Sequence, residues 1–193
     1  MSLRRLWAGW RMPYVSSAGD SDADAGAATQ TGDRQRAGAG AERGREDCVF
    51  CRILASAEPD NVTYVLWRGH KCFAVLNAFP YASGHLMVMP TRHVAELEDV
   101  AVDEAAELWA GVADAVRALK ASYRPDGFNV GANIGRAAGA GIPTHFHIHV
   151  VPRWFGDTNF TTTVAEARVL PESLPDTWNR LRASWPASRQ PQA

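Results

Sequence analysis

Residues 144–154 read THFHIHVVPRW, so three of the chain's six histidines stand at every second position with Phe146, Ile148 and Val150 between or after them. In an extended strand, side chains two residues apart share a face and lie about 6.6 Å apart along the backbone. The stretch therefore predicts a strand with His145, His147 and His149 in a row on one side and the apolar residues packed on the other. A purely structural strand has no need of an imidazole row, so this strand is expected to carry chemistry.

Composition narrows what that chemistry serves. The chain has 193 residues, 46% hydrophobic and 21% charged, with a formal net charge of -1. These values suit one soluble domain of roughly 140–150 residues plus a tail. The charge balance gives no reason to expect nucleic acid as a partner. No apolar run approaches the ~18 residues of a membrane span, and no secretory signal is evident, so a cytoplasmic location is expected. Residues 1–19 carry Arg4, Arg5 and Arg11 with no acid before Asp20, a bias shared with organellar transit peptides. Three cysteines argue against a disulfide scaffold, and two of them, Cys48 and Cys51, form C-x-x-C, a metal or redox spacing. Cys72 falls in an apolar strand pattern and is expected in the core.

Along the chain, residues 1–15 hold two tryptophans and a tyrosine and are read as an arm that packs on the domain or on a partner subunit. Residues 16–46 lack aromatic residues, Leu, Ile and Val, and are expected to be a flexible linker, because such a segment buries too little surface to offset its ordering entropy. A folded domain is expected over 47–186, with a tail at 187–193. Within it, VTYVLWRG, KCFAVLNAF, HLMVMP, GFNVGANIG and THFHIHVVP read as strands. From Val102 to Tyr123, Ala105, Leu108, Val112, Ala115, Val116 and Leu119 recur at helical spacing, with Asp103 and Glu104 in the first turn. LPDTWNRLRASW reads as a short C-terminal helix. The expected fold is α+β, a mainly antiparallel sheet of about five strands with one long helix.

One metal ion cannot easily hold all three alternating histidines, because His145 and His149 would lie about 13 Å apart. His145 with His147 could serve a cupin-like metal site, but VVPRW supplies no following carboxylate. Cys48 and Cys51 offer two thiolates at zinc-knuckle spacing, and His93 with one end of the histidine row could complete a tetrahedral site. A thioredoxin-type redox role is disfavoured because the motif follows the linker. If His145 serves a metal, His147 is left facing a cleft as a neutral imidazole nucleophile, able to form a phosphoramidate. The preceding GRAAGAG could bring backbone N–H groups to phosphate oxygens.

HFHIHVV fits at every position the signature of the histidine triad superfamily, which the chain resembles over about 140 residues. CVFC resembles the opening knuckle of its zinc-containing members, NAFPYASGHLMVMPTRHV its strand-turn-strand with Gly-His and Pro-x-x-His, and GFNVGANIGRAAGAGIPTHFHIHVVPRW the approach to the triad. LRRLWAGWRMPY and PRWFGDTNF resemble the bacterial and actinobacterial branch that includes diadenosine tetraphosphate phosphorylases.

The resemblance implies a nucleotide-binding enzyme acting on dinucleoside polyphosphates. His147 would be the nucleophile at the α-phosphorus, and His149 would position it and bind phosphate. Cys48, Cys51, His93 and His145 would hold a structural Zn2+. Asn77 takes the place of the ribose contact and Asn133 that of an asparagine near the transferred phosphate. Where many members carry Gln-Ser or Gln-Thr, this chain has Gly141 and Ile142, so phosphate contacts would fall to backbone amides there. The resemblance also implies a homodimer. Alternatives are a catalytically weak nucleotide-binding or regulatory protein, or a nucleoside phosphoramidase. Inorganic phosphate or water as the acceptor is left open, as is the specificity for base and phosphate-chain length.

Overall fold

The computed structural model describes residues 44–157 and 172–186. The segments read as arm (1–15) and tail (187–193), nearly all of the linker, and the last three residues of PRWFGDTNF lie outside the described residues. Residues 44–47 are helical and lead into Cys48. The elements that follow are α1 (Val49–Ala55), α2 (Asp60–Thr63), β1 (Val65–Arg68), β2 (Cys72–Leu76), β3 (Leu86–Pro90), α3 (Val102–Tyr123), β4 (Gly127–Gly131), β5 (Ile148–Arg153) and α4 (Leu174–Ser184). The five strands form one sheet in the order β1-β2-β3-β5-β4, and every neighbouring pair is antiparallel. The expected α+β architecture is the observed one.

Strand periodicity distributes the core over two faces. Cys72, Ala74, Leu76, Leu86 and Val88 pack with Leu108, Val112, Ala115 and Leu119 of α3. The alternate residues Phe73, Val75, Met87 and Met89 pack with Cys48, Phe50 and Cys51 at the start of α1. With both faces covered, β2 and β3 are buried at every position, which is why they read as unbroken apolar runs. A bulge between Val65 and Trp67 turns Leu66 and Trp67 to the α3 face together.

Helix α3 lies close against the sheet at Gly111, where a Cβ would sit 2.9 Å from the Trp67 ring. Its first turn is held by Glu104, whose carboxylate accepts from the Ala101 amide at 2.9 Å and from Arg92 Nε at 2.9 Å. Because Arg92 precedes His93, this clamp ties the helix N-terminus to the segment after β3. Helix α4 closes on the same face: Leu181 and Trp185 are buried, and Trp178 Nε1 donates to the Val65 carbonyl at 2.9 Å.

Three expectations need correction. VTYVLWRG is not all strand: Val62 and Thr63 belong to α2, Tyr64 is left-handed at φ 58°, and β1 begins at Val65. THFHIHVVP forms strand only from Ile148, so of the three histidines only His149 has ladder partners, opposite Met87 and Gly131. His145 and His147 precede β5 and are packed under Phe50 rather than facing an open cleft. Helix α1 was not anticipated.

Candidate active site and metal centre

Cys48 is the N-cap residue of α1 and Cys51 lies in its first turn, so one turn of helix aims both thiols at the end of the sheet. They meet His93, just after β3, and His145, just before β5; the four ligand atoms all lie within 4.8 Å of one another. His145 Nδ1 is 3.4 Å from Cys48 Sγ and 3.7 Å from Cys51 Sγ, and His93 Nδ1 is 3.4 Å from Cys51 Sγ. A tetrahedral ion with the usual zinc–sulfur and zinc–nitrogen bond lengths would set each S···N edge at about 3.6 Å. The donor set therefore fits a metal ion in both chemistry and size. His145 is also turned the right way: the Pro90 carbonyl, 3.0 Å from Nε2, can only accept, so the proton sits on Nε2 and the Nδ1 lone pair faces the thiols. Burial pushes the Cys51 thiol up to about 11, with Cys48 adding to the shift, and pulls His145 down to about 4. Buried thiols of this kind ionise readily only beside a cation.

The same reasoning fixes His147. Its Nδ1 lies 2.8 Å from the carbonyl of His145. A carbonyl can only accept, so Nδ1 carries the proton and Nε2 keeps its lone pair. Burial, partly offset by that hydrogen bond, lowers its pKa below the usual histidine value. The ring is only 6% exposed and meets Phe50 edge-on, with centroids 5.2 Å apart. His147 is thus a neutral imidazole in a largely dry setting.

His149 is fixed by a residue for which sequence reasoning supplied no role. The Tyr81 amide donates to His85 Nδ1 at 3.1 Å, which places the His85 proton on Nε2. That Nε2 lies 3.0 Å from His149 Nδ1 and donates to it, leaving the His149 proton on Nε2. The ring next to His147 therefore carries an N–H donor, the two rings standing 4.8 Å apart at 74°. Burial first, then the His147 ring, pull His149 down to about 4, so it donates as a neutral group. His85 is 1% exposed. Its position was open to a register argument: it has the parity of Met87 and Met89, the face against α1, and Met87 pairs with His149.

Asn77 follows β2. Its Oδ1 accepts from the Phe79 backbone amide at 2.9 Å, and its backbone N–H donates to the His85 carbonyl at 3.0 Å. The structure thus brings Asn77 to the His85–His149 pair. Asn133 lies after β4, its Nδ2 3.5 Å from the Gly139 carbonyl across the GRAAGAG loop. In that loop Gly135 and Gly139 have φ of 75° and 84°, which a side chain would strain. Gly141 is exposed with open space where a Cβ would stand, whereas Ile142 packs on the α1 face of the core.

The family described as HIT domain matches residues 58–156. The chain belongs to the HIT domain family. Relatives of this HIT chain include the protein named AP-4-A phosphorylase from Mycobacterium tuberculosis, 40% identical over 98% of this chain and 87% of the relative. Among solved structures, a Zn-bound histidine triad family protein from Mycobacterium smegmatis superposes with a TM-score of 0.59 at 30% identity, covering 72% of this chain and 94% of the other. A hypothetical histidine triad nucleotide-binding protein from Sulfolobus tokodaii gives 0.58 at 29% identity over 71% and 91%.

Proposed function

We propose that this HIT protein cleaves dinucleoside polyphosphates by transferring a nucleoside monophosphate to Nε2 of His147. The observation that carries the reading is the 2.8 Å hydrogen bond from His147 Nδ1 to the His145 carbonyl, which leaves Nε2 unprotonated on a ring whose neighbour, 4.8 Å away, is that of His149. The near full-length likeness to AP-4-A phosphorylase supports the substrate class.

In the first step the Nε2 lone pair attacks the α-phosphorus. A P–N bond forms, the P–O bond to the remaining polyphosphate breaks, and the positive charge of the ring is stabilised by the His145 carbonyl on Nδ1–H. His149 Nε2–H donates to the phosphoryl or leaving oxygen. In the second step an oxygen of inorganic phosphate or water attacks, the P–N bond breaks with its electron pair returning to Nε2, any proton on the attacking oxygen passes to solvent, and His147 returns neutral. Asn77 holds the ribose, while Asn133 and the amides of Gly141 and Ile142 hold phosphate oxygens. Zn2+ held by Cys48, Cys51, His93 and His145 would supply a structural tether; the M. smegmatis relative and the S···N spacings support that assignment. The protein is proposed to be a cytoplasmic homodimer; among the described residues no helix is long and apolar enough to cross a membrane.

Mixing the protein with diadenosine tetraphosphate should give a covalent AMP adduct by mass spectrometry, absent in His147→Ala. ADP plus ATP in the presence of phosphate identifies a phosphorylase, and AMP plus ATP a hydrolase. A His147→Ala enzyme within tenfold of wild-type activity would exclude His147 as the nucleophile.

A further inference from the structure

Tyr81 enters the site twice. Its backbone amide donates to His85 Nδ1 at 3.1 Å, and its ring lies against the hydrogen bond that His85 makes to His149. The ring centroid is 4.6 Å from that of His85 and 6.1 Å from that of His149, the two imidazoles themselves being 5.1 Å apart. These distances put the tyrosine ring across the pair and not against one member of it. The ring is inclined by 41° to His85 and by 29° to His149, closer to parallel than to perpendicular. The loop that carries it is fixed: the Phe79 backbone amide donates to Asn77 Oδ1 at 2.9 Å, the Asn77 backbone N–H to the His85 carbonyl at 3.0 Å, and the His85 backbone amide to the Ala82 carbonyl at 3.0 Å. Tyr81 is 50% exposed, so it forms the boundary between solvent and the imidazole pair.

What the ring protects is the placing of a proton. His85 is buried and His149 only partly so, which makes the His149 end the open side of their hydrogen bond. With its Nδ1 occupied by the Tyr81 amide, His85 can only donate through Nε2, and it thereby dictates an unprotonated Nδ1 on His149. A water in its place donates or accepts equally well and dictates nothing. Water would also solvate the imidazolium, and a proton taken up on His149 Nδ1 would set two N–H groups against each other and break the pair. We propose that Tyr81 is a positioning residue whose ring roofs the His85–His149 hydrogen bond, keeping water out and the His149 proton on Nε2. Its part in catalysis rests on the reaction proposed above, whereas its effect on the His149 ring does not. For that reaction the consequence is a working range that extends to lower pH than an open pair would allow. Among the described residues, the titratable groups whose rings meet His149 are His147, His85 and Tyr81, and its ladder partners Met87 and Gly131 carry no charge.

The test uses the full chain labelled with 15N-histidine and three substitutions that leave the backbone amide of residue 81 in place. In the wild type, His149 should show one protonated and one unprotonated ring nitrogen at neutral pH and titrate near the value of about 4 set by burial and by the His147 ring. Tyr81→Ala should raise that midpoint by about one unit or more, as water returns to a ring that burial had kept neutral, and move the two nitrogen signals toward each other. Tyr81→Phe should leave the midpoint and the signals where they are. Tyr81→Gln, which keeps the bulk but draws water in, should behave as Tyr81→Ala and stands in for it if that variant does not fold. With diadenosine tetraphosphate, the ratio of wild-type to Tyr81→Ala kcat should grow about twofold or more as the pH is lowered from about 8 to about 5. An unchanged midpoint with unchanged nitrogen signals in the folded variants would overturn the roof. So would a rise in KM at every pH with the His149 signals intact, which would assign the ring to the substrate. A wild-type protein that turns over no dinucleotide would sink the proposed reaction, and the nitrogen signals would still decide the roof.

Discussion

Each histidine of the row has one ring nitrogen committed to a fixed partner and the other left for work. Backbone carbonyls choose the tautomer of His145 and His147, and the chain Tyr81 amide, His85, His149 chooses that of the third. Such choices hold only while the rings are neutral, and burial keeps them so. His149, pulled down to about 4, sits well below the usual value of ~6.5. A folded-state value below the unfolded one means that the unfolded chain binds the proton first as pH falls. The stabilisation is therefore complete above about pH 6.5 and is lost between there and about pH 4. Thermal melts should show a steady Tm at neutral pH and a decline across that window, with a shallower decline in His149→Gln. Parallel declines for the two proteins would show that His149 does not contribute.

At the scale of elements, α1 is the piece whose position depends most on the Cys–His cluster. It has seven residues, too few for a stable helix alone, and no side-chain cap at Cys48. It is held by Phe50 against His145 and His147 and by the two thiols against His93 and His145. Chelation should therefore lower Tm by about 5 °C or more, given ~2–4 °C per kcal/mol for a domain of this size, and hydrogen exchange should rise first in Val49–Ala55. Unchanged exchange there, or metal analysis finding no bound zinc, would count against the tether. This dependence also explains what sequence could reveal. The heptad-like spacing of Leu108, Val112, Ala115 and Leu119 made α3 legible end to end, because local periodicity and tertiary burial agree. VFCRILA has no amphipathic repeat long enough to register, and its helicity follows from long-range contacts 94 and 97 residues away in sequence. The histidine alternation pointed to the candidate site but not to its depth: a covering helix invisible in the sequence is what buries His147. His85 escaped notice because one histidine before a strand carries no signal until its register against β5 is known.

For the whole molecule, the edges and the outer helix face point to a second copy. Strand β1 ends the sheet on one side, where Trp178 of α4 bonds to the Val65 carbonyl. Strand β4 ends it on the other, largely exposed, with Val130 at 40% and no further strand beside it among the described residues. An unprotected edge invites pairing. Helix α3 adds Val102, 89% exposed, and Trp109, 58% exposed, while its opposite side fills the core with Leu108 and Val112. Among the described residues, an indole left in water on a helix that already has a complete buried stripe has no packing role. Pairing through α3 and β4 would bury both and bring two histidine rows onto one extended sheet, each row still built by its own chain. Light scattering at micromolar concentration should return twice the chain mass, and Trp109→Glu should shift the protein toward monomer with its far-ultraviolet circular dichroism unchanged. A wild-type monomer would refute the pairing. A variant that stays dimeric would take the helix out of the interface and leave the β4 edge as its seat.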